Sequence, residues 1–593
     1  MSFSLDERRH SAAHVMAAAI QRLYPGAKFG VGPVVEHGFY YDVETPTPIT
    51  AADLSRIQET MQRIQKENPA FVREEMNIEQ AIALFEQLGQ PYKVELLRDL
   101  RDRGTTAMKD VGDAVVDSVE AVSVYKTGEF VDLCRGPHVS EAKEIGVVKL
   151  TKLAGAYWRG KETNPQLQRI YGWCFVTKED LVAHQHMIEE AEKRDHRKIG
   201  KELGLFLFSD LVGPGLPLWT PKGTALREAL NDFVWSLRKP YGYQRVTIPH
   251  ITKRDLYETS GHWAKYADDL FKIQTRDGHE FAMKPMNCPH HAQIYHHEQR
   301  SYRDLPIRYA ETTMVYRDEQ SGELGGLSRV LSITQDDAHV FCRTSQIAQE
   351  VESIWQIITR FYGAFGFVLT PRLSRRDPDN LQKYQGALED WVLAESSLRD
   401  VLEQKGSSWI DGPGEAAFYG PKIDFMAKDS LGRTHQVATI QLDFTQPKNF
   451  GLTCVNEQSE KETIVMIHCA IMGSIERFMA VMIEHTAGVF PLWLAPVQVG
   501  IASVADRYAD TAHEIGAWLR EAGFRVEVDD SSESVGKKIR QAERMKLPVS
   551  IVVGEKEAAG EPFTLRIRGE VDQVSVPREE LLAFLQARVQ ARQ

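Results

Sequence analysis

The sequence predicts an α+β multidomain protein, and three observations predict it. Its 593 residues allow about three to five domains at roughly 100–200 residues each. Hydrophobic residues are 42% and charged residues 26%, the usage of a folded globular chain, which excludes a disordered, collagen-like or disulfide-stapled protein. Helical patterns alternate with paired strand patterns along the chain.

The charge balance narrows the class. Lys+Arg is 71 against Asp+Glu 83, a net −12, which argues against a general nucleic-acid coat but allows a local basic groove. Six cysteines without a CxxC pair fit the reduced thiols of a cytoplasmic protein. The start, MSFSLDERRH, has charges where a signal peptide needs an apolar core. No stretch approaches about 18 uninterrupted apolar residues. A multidomain cytoplasmic enzyme is therefore expected.

The elements follow in order. Ser4 with Glu7 fits a capping box, opening a helix that runs to Pro25-Gly26. GFYYDV (38–43) is an alternating, turn-rich segment, a second amphipathic stretch runs through the fifties and sixties, and 139–176 is strand-rich. From Thr177 a long polar helix, too charged for a core, reads as a linker with a boundary near residue 195. The Pro/Gly-rich loop 211–223 leads into a helix and a region of helices and antiparallel strands. PLWLAPVQV (491–499) marks the last boundary, before a small α/β domain with a mostly parallel sheet. The expected domains are 1–176, a linker 177–200, 201–494 and 495–593.

Three constellations can carry chemistry. His10 and His14 share one helix face, and Cys134 and His138 form a second pair with the same spacing. Either a zinc site or a metal-free hydrolytic pocket could result. In 308–341, read as strand, Gly-rich loop and strand, period 2 puts Arg317 and Glu319 on one face. It puts Gln335, Asp337 and His339 together on the next strand. Charges in an apolar region are costly unless they meet a ligand or each other, and arginine suits phosphate. In 465–485 an apolar strand turns at Gly473-Ser474 into a helix with a buried-looking Arg477, either a ligand contact or a structural ion pair.

Five segments carry a resemblance: KPMNCPHH (284–291), TQDDAHVFC (334–342), AFYGPKIDF (417–425), QVATIQLDF (436–444) and VMIHCAIMGSIERF (465–478). Together with RRHSAAH, VDLCRGPH and LAGAYWRG in front, they resemble the class II aminoacyl-tRNA synthetases. Among these the chain is most similar to the threonyl-tRNA synthetase family, over nearly its whole length. The resemblance implies a catalytic core on an antiparallel sheet, an α+β editing domain in front and an anticodon-binding domain behind.

It also implies roles. One zinc ion per subunit would be held by Cys288, His339 and His468, with Met286, Gln335, Asp337, Tyr419, Thr439 and Gln441 around the threonine. Valine lacks the hydroxyl, and an apolar pocket alone discriminates such isosteres only ~10–200-fold. ATP with Mg²⁺ would meet Arg317 at its α-phosphate, Glu319 on the adenine side, and Arg329 and Arg477 at its β,γ end. Lys422 and Gln436 match nucleotide-contacting positions, and His262 matches a histidine that assists transfer to tRNA. Pro249 resembles motif 1, which implies a homodimer.

Serine differs from threonine by one methyl, worth only ~1–3 kcal/mol, so a second site is expected. By resemblance His10, His14, Tyr41, Lys93, Asp132, Cys134 and His138 form it, working without metal. Arg540, Glu557 and Arg566 match anticodon readers, near KKIRQAERMK (537–546) with five basic residues and one acidic. There are three departures. The small ubiquitin-like domain that commonly precedes the editing domain is expected to be absent. Gly325 stands where many members have histidine, and Ser532 where asparagine is common. A ligase for serine, proline or histidine is a weaker reading. So is a paralogue acting in regulation or resistance by binding RNA or inhibitor, which would not need the motif arginines.

Overall fold

A computed structural model of the chain describes residues 3–106, 119–161 and 163–592. It divides into two compact units, residues 1–189 and 190–593.

In the first unit, the helix Leu5–Leu23 starts on the expected capping box. The Glu7 amide donates to Ser4 Oγ at 3.2 Å, and the Ser4 amide to Glu7 Oε2 at 2.6 Å. Its alanine-rich stretch is buried because small side chains let sheet and helix approach closely. Ala12, Val15, Met16 and Ile20 share a core with Phe39, Tyr41 and Ile170. The antiparallel strands Gly38–Glu44, Gln166–Phe175 and Val147–Tyr157 lie side by side in one sheet. Phe71–Asn77, Ala121–Thr127 and Phe130–Leu133 form another and deliver Asp132 and Cys134 at its edge.

The polar linker is not one helix. It breaks into Lys178–Lys193 and His196–Glu202. The Asp195 side chain accepts the Arg197 amide, so a new helix cap replaces continuation of the first helix.

The second unit is built on an eight-stranded sheet. Its order is Gln244–Arg245, Ile307–Tyr316, Ser332–Cys342, Val465–Ser474, Thr434–Asp443, Lys422–Lys428, Val368–Arg375 and Ile410–Pro413. Only the two outermost pairings are parallel. Residues of Pro221–Arg238, Ile347–Gly363, Leu388–Lys405 and Ile475–Thr486 share a core with the sheet. Residues beyond 498 have a core of their own. There Val499–Ser503 pairs in parallel with Val526–Asp529 and Val549–Val553. The expected mostly parallel sheet is mixed instead. Phe563–Ile567 and Val574–Val576 add an antiparallel hairpin, with Gly569 at φ 85° in its connection. No described helix is long and apolar enough to cross a membrane.

Candidate functional site

Alternation along three neighbouring strands builds one wall of a cavity of about 750 Å³ in the second unit. In Ser332–Cys342, Ala338, Val340 and Cys342 enter the core, while Gln335, Asp337 and His339 line the cavity. His339 stands opposite His468, and His468 opposite Gln441, so three adjacent strands set these side chains in a row. The expectation of one shared face for Gln335, Asp337 and His339 holds.

Cys288, at the start of the helix Cys288–His296, joins that row. One ligand atom each from Cys288, His339 and His468 lie within 4.8 Å of one another, all buried. His468 Nε2 is 2.9 Å from Asp443 Oδ2. A carboxylate accepts, so the proton sits on Nε2 and the Nδ1 lone pair faces the cluster. Asp443 also accepts from Gln446 Nε2, which donates to Cys288 Sγ as well. Burial pushes the Cys288 thiol well above its usual range and the His339 imidazole well below it. A cysteine sulfur and two imidazoles form a donor set suited to zinc, on the wall of the cavity. Beside them, Asp337 accepts from Asn287 at 3.0 Å, and burial raises its carboxyl. Met286, Tyr419 and Thr439 complete this end.

The cationic end differs from expectation in two places. The strand Ile307–Tyr316 stops before Arg317, so Arg317 and Glu319 lie in the following loop rather than on the strand. The Arg317 amide still bonds Leu331 O, which closes the base of that loop. Its Nε is buried without a partner beside the Tyr266 ring, a cation available to an anion. Arg477 is exposed, not buried: Ile475 and Phe478 take the core side of their helix. The buried charge there is Glu476, which accepts the Thr334 amide at 2.8 Å. Arg329 pairs with Glu319 at 2.5 Å and Glu323 at 2.8 Å. Arg317, Glu319, Arg329, Lys422, Gln436 and Arg477 nonetheless line the same cavity. A side chain at Gly325 would meet open space.

His262 is fully buried and lies behind Met286 rather than on the cavity wall. Its Nδ1 bonds Ser260 Oγ at 2.8 Å, and Nε2 is 3.1 Å from Met286 Sδ. Burial lowers it to about 3, so it is neutral near pH 7.

Among the buried carboxylates that escaped the sequence reading, two stand out. Asp443 is described above. Asp424, fully buried, accepts from Ser374, Gln436 and Thr439 at 2.7–2.8 Å and pairs with Arg372 and Lys422. The signal available for both was an acid set between apolar neighbours on a strand.

In the first unit all seven expected residues come together. Cys134 Sγ lies 3.2 Å from His10 Nε2 and 3.3 Å from His138 Nε2. His10 Nδ1 donates to Pro137 O at 3.2 Å. Ser11 donates to Glu7 O, so His138 Nδ1 donates to Ser11 Oγ at 3.1 Å. Both Nε2 lone pairs therefore converge on one thiol. His14 pairs with Asp132 at 3.4 Å, and its buried Nδ1 has no partner. Burial lowers all three imidazoles, so they stay neutral. Lys93 pairs with Asp132 at 2.5 Å, and Tyr41 donates to the same carboxylate. The four metal-capable groups lie within 4.8 Å of one another. The donor set suits either a cation or an ordered water among acceptors.

In the last part of the chain, Arg540 and Arg566 are exposed, on the helix Val535–Arg544 and the strand Phe563–Ile567. Glu557 is half-buried and accepts the Gly554 amide at 2.9 Å. Pro249 and Ser532 are exposed.

Comparison with known proteins adds three family matches. Residues 271–486 match the tRNA synthetase class II core domain (G, H, P, S and T). Residues 498–588 match an anticodon binding domain, and 122–171 the second additional domain of threonyl and alanyl tRNA synthetases. A threonine–tRNA ligase of Porphyromonas gingivalis is 48% identical over 95% of this chain and 84% of its own length. One from Gloeobacter violaceus is 47% identical over 98% and 92%. Among solved structures, the RNA binding domain of threonyl-tRNA synthetase from Cryptosporidium parvum is similar at a TM-score of 0.64 and 38% identity. It covers 66% of this chain and 98% of its own. A putative threonyl-tRNA synthetase from Aeropyrum pernix is similar at 0.60 and 29%, covering 67% and 97%.

Proposed function

This chain belongs to the threonine–tRNA ligase family, and from that premise we propose how its residues divide the work. The chain activates L-threonine with ATP, transfers it to the 3′ end of tRNA(Thr), and hydrolyses mischarged seryl-tRNA(Thr) in its front unit. The observation that carries this reading is near-half identity to these ligases over 95% of the chain or more.

Cys288, His339 and His468 would hold one zinc ion, with Asp443 orienting His468 directly and Cys288 through Gln446. When bound, zinc offers a Lewis-acidic contact for the amine and hydroxyl of threonine, which valine cannot match. Asp337 accepts from the amine or hydroxyl, and Gln335, Tyr419, Thr439 and Gln441 close around the side chain. Arg317 grips the α-phosphate of ATP, which enters with Mg²⁺. Arg329 and Arg477 take the β,γ end, for which Arg329 must exchange its contacts with Glu319 and Glu323 for phosphate. Lys422 and Gln436, fixed by Asp424, contact the nucleotide or adenylate. Positioned cations then offset the charge that develops as the threonine carboxylate attacks. His262 assists transfer to the terminal adenosine, for which Met286 must move off its Nε2.

In the front unit, the neutral imidazoles of His10, His14 and His138 accept from the serine amine and from a hydrolytic water without a resident metal, while Lys93 offsets the developing oxyanion. Arg540 and Arg566, with Glu557, read anticodon bases. The domains run 1–176, 177–200, 201–494 and 495–593, in a cytoplasmic homodimer.

Threonine-dependent ATP–pyrophosphate exchange, compared for threonine, serine and valine before and after zinc removal, tests the reading. Strong exchange with threonine, less with serine, almost none with valine, and loss without zinc are expected. No exchange by folded, zinc-loaded protein overturns it.

A further inference from the structure

Behind the cationic end of the cavity, one buried histidine joins the loop that carries Arg329 to the helix of Arg477. We propose that His196 is a positioning residue for ATP. It holds the limb of the loop that carries Arg329 by accepting the Leu327 amide.

Hydrogen-bond direction assigns both ring nitrogens. The Leu327 N–H lies 3.0 Å from His196 Nε2, and an amide can only donate, so Nε2 bears a lone pair. The proton is then on Nδ1, which donates to Glu484 Oε1 at 2.6 Å. The His196 backbone amide donates to the same oxygen at 3.2 Å. Asp195, His196 and Glu484 have the spacing of a metal cluster. With both imidazole nitrogens committed to protein partners, His196 offers a metal no lone pair.

Each partner leads to the cavity. Glu484 sits on the helix Ile475–Thr486, seven residues after Arg477, and lines the cavity itself. Its other oxygen accepts from Arg433 at 2.7 Å. Arg433 pairs with Asp429, which also bonds the cavity residue His435 at 2.9 Å. On the loop side, Leu327 is fully buried, and Arg329 follows two residues later. The turn between them is tight: the Gly325 amide bonds Arg329 O and the Ser328 amide bonds Gly325 O. Gly326 has φ +57°, and a Cβ there would lie 2.4 Å from His196 Nε2, so loop and imidazole touch only because glycine stands at that position. Without the acceptor, a buried amide is left unpaired and the limb has reason to leave.

The proposal rests on Arg329 as an ATP ligand, and two amide substitutions separate the bonds. A glutamine amide reaches the position of Nε2, and an asparagine amide that of Nδ1. His196→Gln therefore keeps an acceptor for Leu327, while His196→Asn keeps only the donor to Glu484.

The test is threonine-dependent ATP–pyrophosphate exchange on the full chain, with melting temperature recorded for every variant and Arg329→Ala alongside. His196→Asn should raise the KM for ATP about 10-fold, the scale of one lost hydrogen bond, with the threonine KM unchanged. His196→Gln should stay near wild type. Hydrogen exchange should show the Leu327 amide exposed in His196→Asn but protected in His196→Gln. Equal ATP KM values for the two His196 variants, or parallel rises in both KM values, overturn the positioning role alone if Arg329→Ala still weakens ATP. An unchanged ATP KM in Arg329→Ala removes the reading of Arg329 and the proposal with it.

Discussion

Nε2 of His339 lies 3.1 Å from Nδ1 of His468, across two neighbouring antiparallel strands. Asp443 accepts from Nε2 on the other side of the His468 ring, which turns Nδ1 toward His339 and Cys288. At this distance the two imidazoles can bond each other, and with the Cys288 thiol they also form a donor set for a cation.

Removing one donor tests that relationship. Cys288→Ala is expected to lose bound zinc and to lower threonine activation by more than about 100-fold, since the open Lewis-acid position goes with it. Elemental analysis per chain should fall from one zinc to none. Two zinc ions per wild-type chain would instead place a second at His10, His14, Cys134 and His138.

Arg317 carries a buried Nε with no partner, so its charge is kept for a ligand. Arg317→Ala should lower kcat/KM for adenylation by about 10²–10³-fold, the scale of losing one preorganised donor to a developing charge. Arg317→Lys should recover little, because an ammonium cannot reproduce the planar fork. Full activity in Arg317→Lys would reduce its role to a simple point charge.

In the proposed division of work, editing and activation use separate residues. Alanine at both His10 and Cys134 should leave threonine-dependent exchange within about 2-fold, while seryl-tRNA persists instead of being hydrolysed. The decisive measurement is deacylation of preformed seryl-tRNA(Thr). An unchanged rate would remove the editing role from this cluster.

The same cluster predicts a pH dependence. Burial holds His10, His14 and His138 below their usual pKa, so the unfolded chain binds protons that the folded chain refuses. Their stabilising contribution is complete above the unfolded value near 6.5 and is lost as pH falls below it. Each group that stays neutral costs about 1.4 kcal/mol per pH unit there. Calorimetry between pH 7.5 and 5.5 should show a melting temperature that declines from about pH 6.5, before carboxylates titrate. His138→Gln should lessen the decline, with His10, His14 and the likewise buried His262 still contributing.

What the sequence determined by itself is local. Ser4 and Glu7 are three residues apart, so their reciprocal bonds could be read directly. Gln335, Asp337 and His339 share a face because strand geometry repeats every two residues. His10 with His14, and Cys134 with His138, follow from short spacing. Likeness to a family supplied partners that no spacing gives. Cys288, His339 and His468 are 51 and 129 residues apart; strand register makes the two histidines neighbours, and the start of the helix Cys288–His296 brings the cysteine to them. The tertiary structure decided that Arg477 is exposed while its neighbour Glu476 is buried, because the core claims Ile475 and Phe478. It alone chose Asp424 and Asp443 as the acceptors around which the pocket polar groups arrange. It also ended the linker helix at Asp195, where a side-chain cap outcompeted the helical pattern, and so set His196 against Leu327. Periodicity is fixed by the geometry of one chain segment, whereas a buried charge takes its place only from partners that other segments bring.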